Sequence, residues 1–209
     1  MFAIHASYRG RMRRRSAYVR EVVEAFSQSP VVQAVEHKGV EDFVVVTEGP
    51  EETGGVVLSL IQGGDFAIGI GTVTGGASAS EEDAEELEKE AIAAAGRAVT
   101  RAQKATTVTV RIERPGPGGV LAPGTAATIG EDIAAAFTLL AFVLSRRTDE
   151  GREATALLRA GHLQSEAAAI VGISKQAMSQ RLAAAGWQAE QSGWNLAVHM
   201  LARVDELKG

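Results

Sequence analysis

The stretch ERPGPGGVLAPG, residues 113–124, limits the fold more than any other part of the chain. It holds three of the five prolines and four glycines. Proline removes a backbone donor and fixes φ, and glycine weakens any regular element, so this stretch can be neither helix nor strand. The 209-residue chain is therefore predicted to divide into a first domain over residues 1–113, a linker at 114–124, and a second domain over residues 125–209. That length fits one large or two small domains.

Before the linker, apolar runs of strand and helix period alternate. Phe2 to His5 reads as a buried first strand, followed by a loop through Arg15. Ser16 is placed as the cap of a helix that carries Val19, Val22, Val23 and Phe26 on one face. Val31 to Glu36 and Phe43 to Thr47 read as a strand pair broken at Lys38-Gly39. Pro50 opens a second helix, with Val56, Val57, Leu60 and Ile61 on one side. Phe66 to Val73 reads FAIGIGTV, with Phe66, Ile68 and Ile70 on one face and Gly69 and Gly71 on the other. Glycines along one strand face let a helix or a ligand approach closely. Glu81 to about Gln103 is a third helix, acidic at its start and basic at its end, as the helix dipole favours. Thr106 to Ile112 is a last strand.

The order β-α-β-β-α-β-α-β starts as a ferredoxin-like split βαβ unit with an extra helix and strand. Helices are expected on one face of a mainly antiparallel sheet. The fold class is thus α+β: a ferredoxin-like sheet domain followed by an all-α domain.

After the linker every segment has helical period. Thr128 to Arg147 is almost wholly apolar in its middle (Ile133, Phe137, Leu140, Leu144), so it must be buried on more than one side. It packs either on the first domain or on a second copy. Asp149 to Ala160 is another helix, closed by Gly161. Trp187 to Leu207 is a final amphipathic helix, with Trp194, Ala197, Val198, Leu201 and Val204 along one stripe, serving as core or as a dimer contact.

Between these lies QSEAAAIVGISKQAMSQRL, residues 164–182, which reads as a helix-turn-helix. Ala168 and Val171 face inward on its first helix. Gly172 supplies a left-handed turn, Ile173 plugs the space between the helices, and Ser174 caps the second. Met178 and Leu182 lie one turn apart on the buried side. Ser174, Lys175, Gln176, Ser179, Gln180 and Arg181 are left exposed, as polar and cationic groups suited to base edges and phosphates. An ordinary helical hairpin fits the same spacing, but no acid occurs from Gly172 to Trp187, which favours DNA. A recognition helix over 174–185 is the expectation. Lys175, Gln176, Ser179 and Gln180 would meet bases, and Ser174 and Arg181 phosphates.

Net charge is −5, opposite to what a nucleic-acid binder usually shows as a whole. From Ser145 onward, however, 8 Lys/Arg stand against 7 Asp/Glu. DNA binding would then be weak unless two subunits combine their positive faces, so a homodimer is expected. Arg9, Arg11, Arg13, Arg14 and Arg15 form a basic cluster that is either an anion site or a solvated loop. The acids from Glu81 to Glu90 read as a solvated helix face. With no cysteine, disulfides and thiolate metal sites are excluded. His5, His37, His162 and His199 lack ligand spacing, so no metal and no cofactor are expected. Gly69-Ile70-Gly71 with Gly75-Gly76 lacks the Lys-Ser/Thr of a phosphate-binding loop. The apolar run Ile133 to Leu144 is too short to span a bilayer, and MFAIHASYRGR lacks a signal-peptide core. A cytoplasmic protein without membrane contact follows. Abundant arginine and alanine point to a GC-rich bacterial genome.

The tail from about Glu153 to Arg203, centred on LLRAGHLQSEAAAIVGISKQAMSQRLAAAGW, resembles the helix-turn-helix of bacterial MarR-type regulators. The chain as a whole resembles actinobacterial DNA-binding proteins of the SatD type. The resemblance implies that the first domain is similar to nucleotide-cyclase and GGDEF-type domains. Such domains place a metal-binding Asp where Ser7 stands here. Their Gly-Asp-Glu segment corresponds to Gly39-Val40-Glu41, followed by Asp42, so only Glu41 survives. Two-metal phosphoryl transfer needs carboxylates on both strands, which implies a sensing or dimerising domain and not an enzyme. The expected function is sequence-specific DNA binding in transcriptional regulation. The alternative is a nucleotide sensor or protein-interaction adaptor, with a small anionic effector or a protein as partner.

Overall fold

A computed structural model describes residues 1–74, 80–114 and 124–208. The linker proper and the Gly75-Gly76 pair lie outside these residues. The elements run β1 (Phe2–Tyr8), α1 (Arg15–Ser27), β2 (Ala34–His37), β3 (Asp42–Thr47), α2 (Pro50–Gly63), β4 (Phe66–Val73), α3 (Glu81–Val99) and β5 (Val108–Glu113). Then come α4 (Thr125–Ser145), α5 (Asp149–Arg159), α6 (Gln164–Val171), α7 (Lys175–Ala184) and α8 (Trp187–Ala202), with a closing 3-10 turn at Arg203–Lys208. The protein is α+β, with one five-stranded mixed sheet.

The sheet order is β2-β3-β1-β4-β5. The first four strands are mutually antiparallel, and β5 joins β4 in parallel. In register, Ile4 faces Val45 on one side and Ile70 on the other, and Ala6 faces Phe43 and Ile68. Alternation then puts Phe2, Ile4, Tyr8, Phe43, Val45, Phe66, Ile68, Ile70 and Val108 into one core, with α1, α2 and α4 above them. Phe66 anchors it, meeting Phe43 at 5.4 Å and Tyr8 at 5.7 Å between ring centroids. Fully burying side chains of this size contributes about 1.5–3 kcal/mol each.

The opposite face is covered as well, which corrects the expectation of helices on one face only. There α3 lies on Ala3, Val44 and Val46 through Ala91 and Ala95, and on Ala67 through Val99. Gly69 and Gly71 open the space for it. A Cβ built on Gly71 would sit 2.1 Å from the Ala95 amide nitrogen, and one on Gly69 would sit 2.4 Å from that of Val99. The glycine face of β4 is therefore occupied by a helix, not a ligand. Several boundaries also differ from the sequence expectation: α3 ends at Val99 and not near Gln103, β5 starts at Val108 and not Thr106, α4 starts at Thr125 and not Thr128, and α8 stops at Ala202 and not Leu207. Helix α1 starts one residue before Ser16, with Arg14 at the cap position and no side-chain cap bond. Strand β2 starts at Ala34, leaving Val31 exposed.

Apolar packing runs across the Pro/Gly stretch. Ile129, Ile133, Phe137, Leu140 and Leu144 of α4, with Ala197 and Leu201 of α8, belong to the same core as the upper sheet face. Helix α4 extends the apolar run seen in the sequence to 21 residues, long and apolar enough by length and composition to cross a membrane. Six of its residues are nevertheless buried in this core. A second, smaller core joins α5, α6 and α7 through Ala154, Ala167, Ala168, Met178 and Leu182. The α5–α7 unit is thus inserted between α4, which packs on the sheet, and α8, which packs on α2 and α4.

Candidate nucleic-acid interface

The α6–α7 pair is built by short-range rules. Ala167 and Ala168 are small and buried, so α6 can approach α5 and α7 closely. At Gly172 φ is +76°, and its amide bonds back to the carbonyls of Ala168 and Ala169. A residue with a Cβ in this left-handed conformation costs about 1–2 kcal/mol. Ile173 and Val171 pack on the small core. The Ser174 hydroxyl accepts the Ala177 amide at 3.1 Å, which fixes the first turn of α7. At the start of α6, the Glu166 carboxylate accepts the Leu163 amide at 2.8 Å. With Met178 and Leu182 turned inward, the outer face of α7 is set by the helical period alone.

Ser174, Lys175, Gln176, Ser179 and Gln180 are all exposed on that face. Arg181, the sixth residue singled out in the sequence, is half-buried. Its Nη1 lies 3.5 Å from a carboxylate oxygen of Glu153 on α5. Spacing along α7 could not show this, because the partner comes from another helix. The Gln164 side-chain amide donates to the Lys175 carbonyl at 3.5 Å, so the start of α6 lies beside the start of α7.

Behind α7 lies a cluster of charges that the sequence reading did not single out. Arg147, at the end of α4, is 3% exposed in its side chain, and Glu190 of α8 is 2% exposed. Their guanidinium and carboxylate are in direct contact. Arg159 of α5 closes the triad from the rim, donating to both Glu190 oxygens at 2.7 and 2.8 Å. The Nε of Arg147 also donates to the Ala185 carbonyl at the end of α7, at 2.7 Å. One carboxylate therefore ties α4, α5 and α8 together and fixes where α7 ends. No sequence motif marks such a triad, because its members lie on three different elements.

In the sheet half, Ser7 stands opposite Asp42 in the β1–β3 register. The Ser7 hydroxyl accepts from Arg9 at 2.6 Å, and Glu41 is paired with Arg15, also at 2.6 Å. The basic cluster is thus pinned at both ends by Arg9 and Arg15, while Arg11, Arg13 and Arg14 are exposed between them. Among the described residues, no three potential ligands gather into a metal-binding group. A groove of about 580 Å³ runs beside the β5 edge, between Arg101, Arg111 and the Gly130–Glu131 stretch of α4. Glu113 sits near its end. Burial pushes its carboxyl up, but bonds from Arg97 and Arg111 outweigh this and hold it below the usual range.

His5, on the α3 side of β1, is 14% exposed and lies 3.5 Å from Asp42. Burial lowers its pKa, and Asp42 only partly opposes this. The native state therefore resists protonation at His5 while the unfolded chain takes up a proton near about pH 6.5. The unfolded state then binds more protons, so stability is whole above that pH and erodes as pH falls below it. His5→Gln is expected to flatten this loss, read as the difference in urea midpoint between pH 7.5 and 5.5. An equal loss in both proteins would show that His5 is not its source.

No family model matches this chain, and neither a curated protein nor a solved structure does.

Proposed function

We propose that this protein is a sequence-specific DNA-binding transcriptional regulator whose α6–α7 pair acts as a helix-turn-helix, with α7 entering the major groove. The observation that carries the reading is the exposed row Ser174, Lys175, Gln176, Ser179 and Gln180 on a helix whose other face is fully packed. The row is polar and cationic, and α7 contains no acid. The short Ser174 and Ser179 let the helix backbone approach a groove, and the longer Gln176 or Gln180 can pair in bidentate fashion with adenine. The sheet half is read as a ferredoxin-like fold that senses or dimerises. The antiparallel order β2-β3-β1-β4, with α1 and α2 on one face, supports the fold part of that reading.

The test is fluorescence anisotropy on a pool of host promoter DNA, titrated with salt. Tight binding to a subset, weakening steeply with salt, is expected. Gln176→Ala is expected to cost about 1–3 kcal/mol on the preferred sequence and little elsewhere. Arg181→Ala should weaken all sequences alike and lower the salt slope by about one. Glu153→Gln should do the reverse, because it releases Arg181 from its carboxylate partner. If all three variants bound every sequence like the unaltered protein, α7 would not be the reading helix.

A further inference from the structure

The outward face of α4 has the same pattern in both directions. Opposite its buried side, α4 and its C-cap expose Glu131, Ala135, Thr138, Leu139, Phe142 and Arg146 in one stripe. Leu139 is 61% exposed and Phe142 60%, among the most exposed large apolar side chains of the described residues. The stripe's charges stand at its two ends, Glu131 at one and Arg146 at the other. Neither has an ion-pair partner among the described residues. Arg146 lies instead over the Phe142 ring, 5.2 Å from its centroid.

We propose that this stripe is a homodimer interface, in which α4 packs antiparallel on α4 of a second copy. The point midway between Glu131 and Arg146 falls between Thr138 and Leu139, and so does the point midway between Ala135 and Phe142. A two-fold axis there brings Glu131 of each copy onto Arg146 of the other. It also sets the small Ala135 against the large Phe142, and Thr138 against Leu139. Each contact occurs twice, as an isologous interface requires. The spacing 131, 135, 138, 142 alternates steps of four and three, the seam of antiparallel helices packed side by side. Leu196 of α8, 42% exposed, lies on the neighbouring helix and widens the apolar surface. α8 runs antiparallel to α4, with Asp132 bonded to Arg203 and Gly193 against Leu140. The inference rests on this packing alone and does not depend on DNA binding.

Sedimentation velocity of the full chain across the micromolar range tests it. The unaltered protein is expected to dimerise. Glu131→Arg and Arg146→Glu should each weaken the dimer by about tenfold or more, because each places two like-charge pairs in the interface. The double variant restores both pairs in reversed sense and should return to within about twofold of the unaltered protein. Phe142→Glu, or Leu139→Lys should the first fail to fold by circular dichroism, is expected to be monomeric. A monomeric unaltered protein would overturn the proposal, as would a double variant no tighter than the single ones. So would a dimer indifferent to the apolar substitutions. A chain that stays monomeric but floats with anionic phospholipid vesicles would overturn it in favour of a membrane surface as occupant.

Discussion

Gly71→Ala is expected to lose most of the protein's stability. The added carbon would stand 2.1 Å from the Ala95 nitrogen, 2.4 Å from the Ala91 carbonyl oxygen and 2.7 Å from the Ala95 Cα. All three are backbone atoms of α3, so no rotamer change can relieve the clash. The helix must lift off the sheet, and Ala3, Val44 and Val46 beneath it would lose their cover. Overpacking a core costs about 1–3 kcal/mol when side chains can yield. Here they cannot, and about 3 kcal/mol is a lower bound against a typical total of about 5–15 kcal/mol. Gly69→Ala meets the backbone of Ala95 and Val99 in the same way. Gly55→Ala is the control. It lies in α2 with only the Trp194 ring, 3.9 Å away, near the added carbon. There alanine should gain up to about 1 kcal/mol through helix propensity. Urea unfolding followed by circular dichroism separates these outcomes. A Gly71→Ala protein within 1 kcal/mol of the original would mean that α3 does not sit this close to β4.

Glu190→Ala is expected to cost about 3–5 kcal/mol, the range for a buried charge deprived of its partner. Arg147 would keep its bond to the Ala185 carbonyl but face an apolar hole where the carboxylate stood. Arg159 is 30% exposed and can turn to water, so Arg159→Ala should cost only about 1 kcal/mol. The informative variant joins Glu190→Leu with Arg147→Met. Removing both charges together avoids the orphaned one and should recover most of the loss. Denaturant midpoints of the unaltered protein, Glu190→Leu, Arg147→Met and the double variant close a cycle that gives the coupling directly. If Glu190→Ala were no worse than Arg159→Ala, the triad would not hold the α5–α7 unit in place.

The parts of this fold that were legible in the sequence follow from periodicity and local backbone chemistry. FAIGIGTV gave a strand with one glycine face, Gly172-Ile173-Ser174 gave a turn and a cap, and Pro50 gave a helix start. The exposed row on α7 followed from Met178 and Leu182 being buried. What covers the glycine face was not legible. The helix there uses Ala91, Ala94, Ala95 and Ala98, and a stripe of alanines gives little contrast against a polar helix. The charge triad was hidden for a different reason. Arg147, Arg159 and Glu190 look like surface residues in sequence, and only three elements converging in space make them a buried group. Arg181 was placed on the correct helix, but its tie to Glu153 depends on how α5 lies across α7. The site residues are thus readable one helix at a time, and their electrostatic neighbours are not.

The final helix has a consequence for how the chain is made. Ala197 and Leu201 close the same core as Ile4, Phe66 and Val57, together with Val204 of the last turn. On the ribosome, the sheet emerges first with its strands complete but part of one flank bare. Helix α4 then covers that flank, but the sides of α2 and α4 that α8 closes stay bare until residues 187–204 leave the exit tunnel. Segments that wait for distant partners are the ones most exposed to wrong association. Biosynthesis of this protein therefore carries a window of vulnerability that stays open until α8 has emerged.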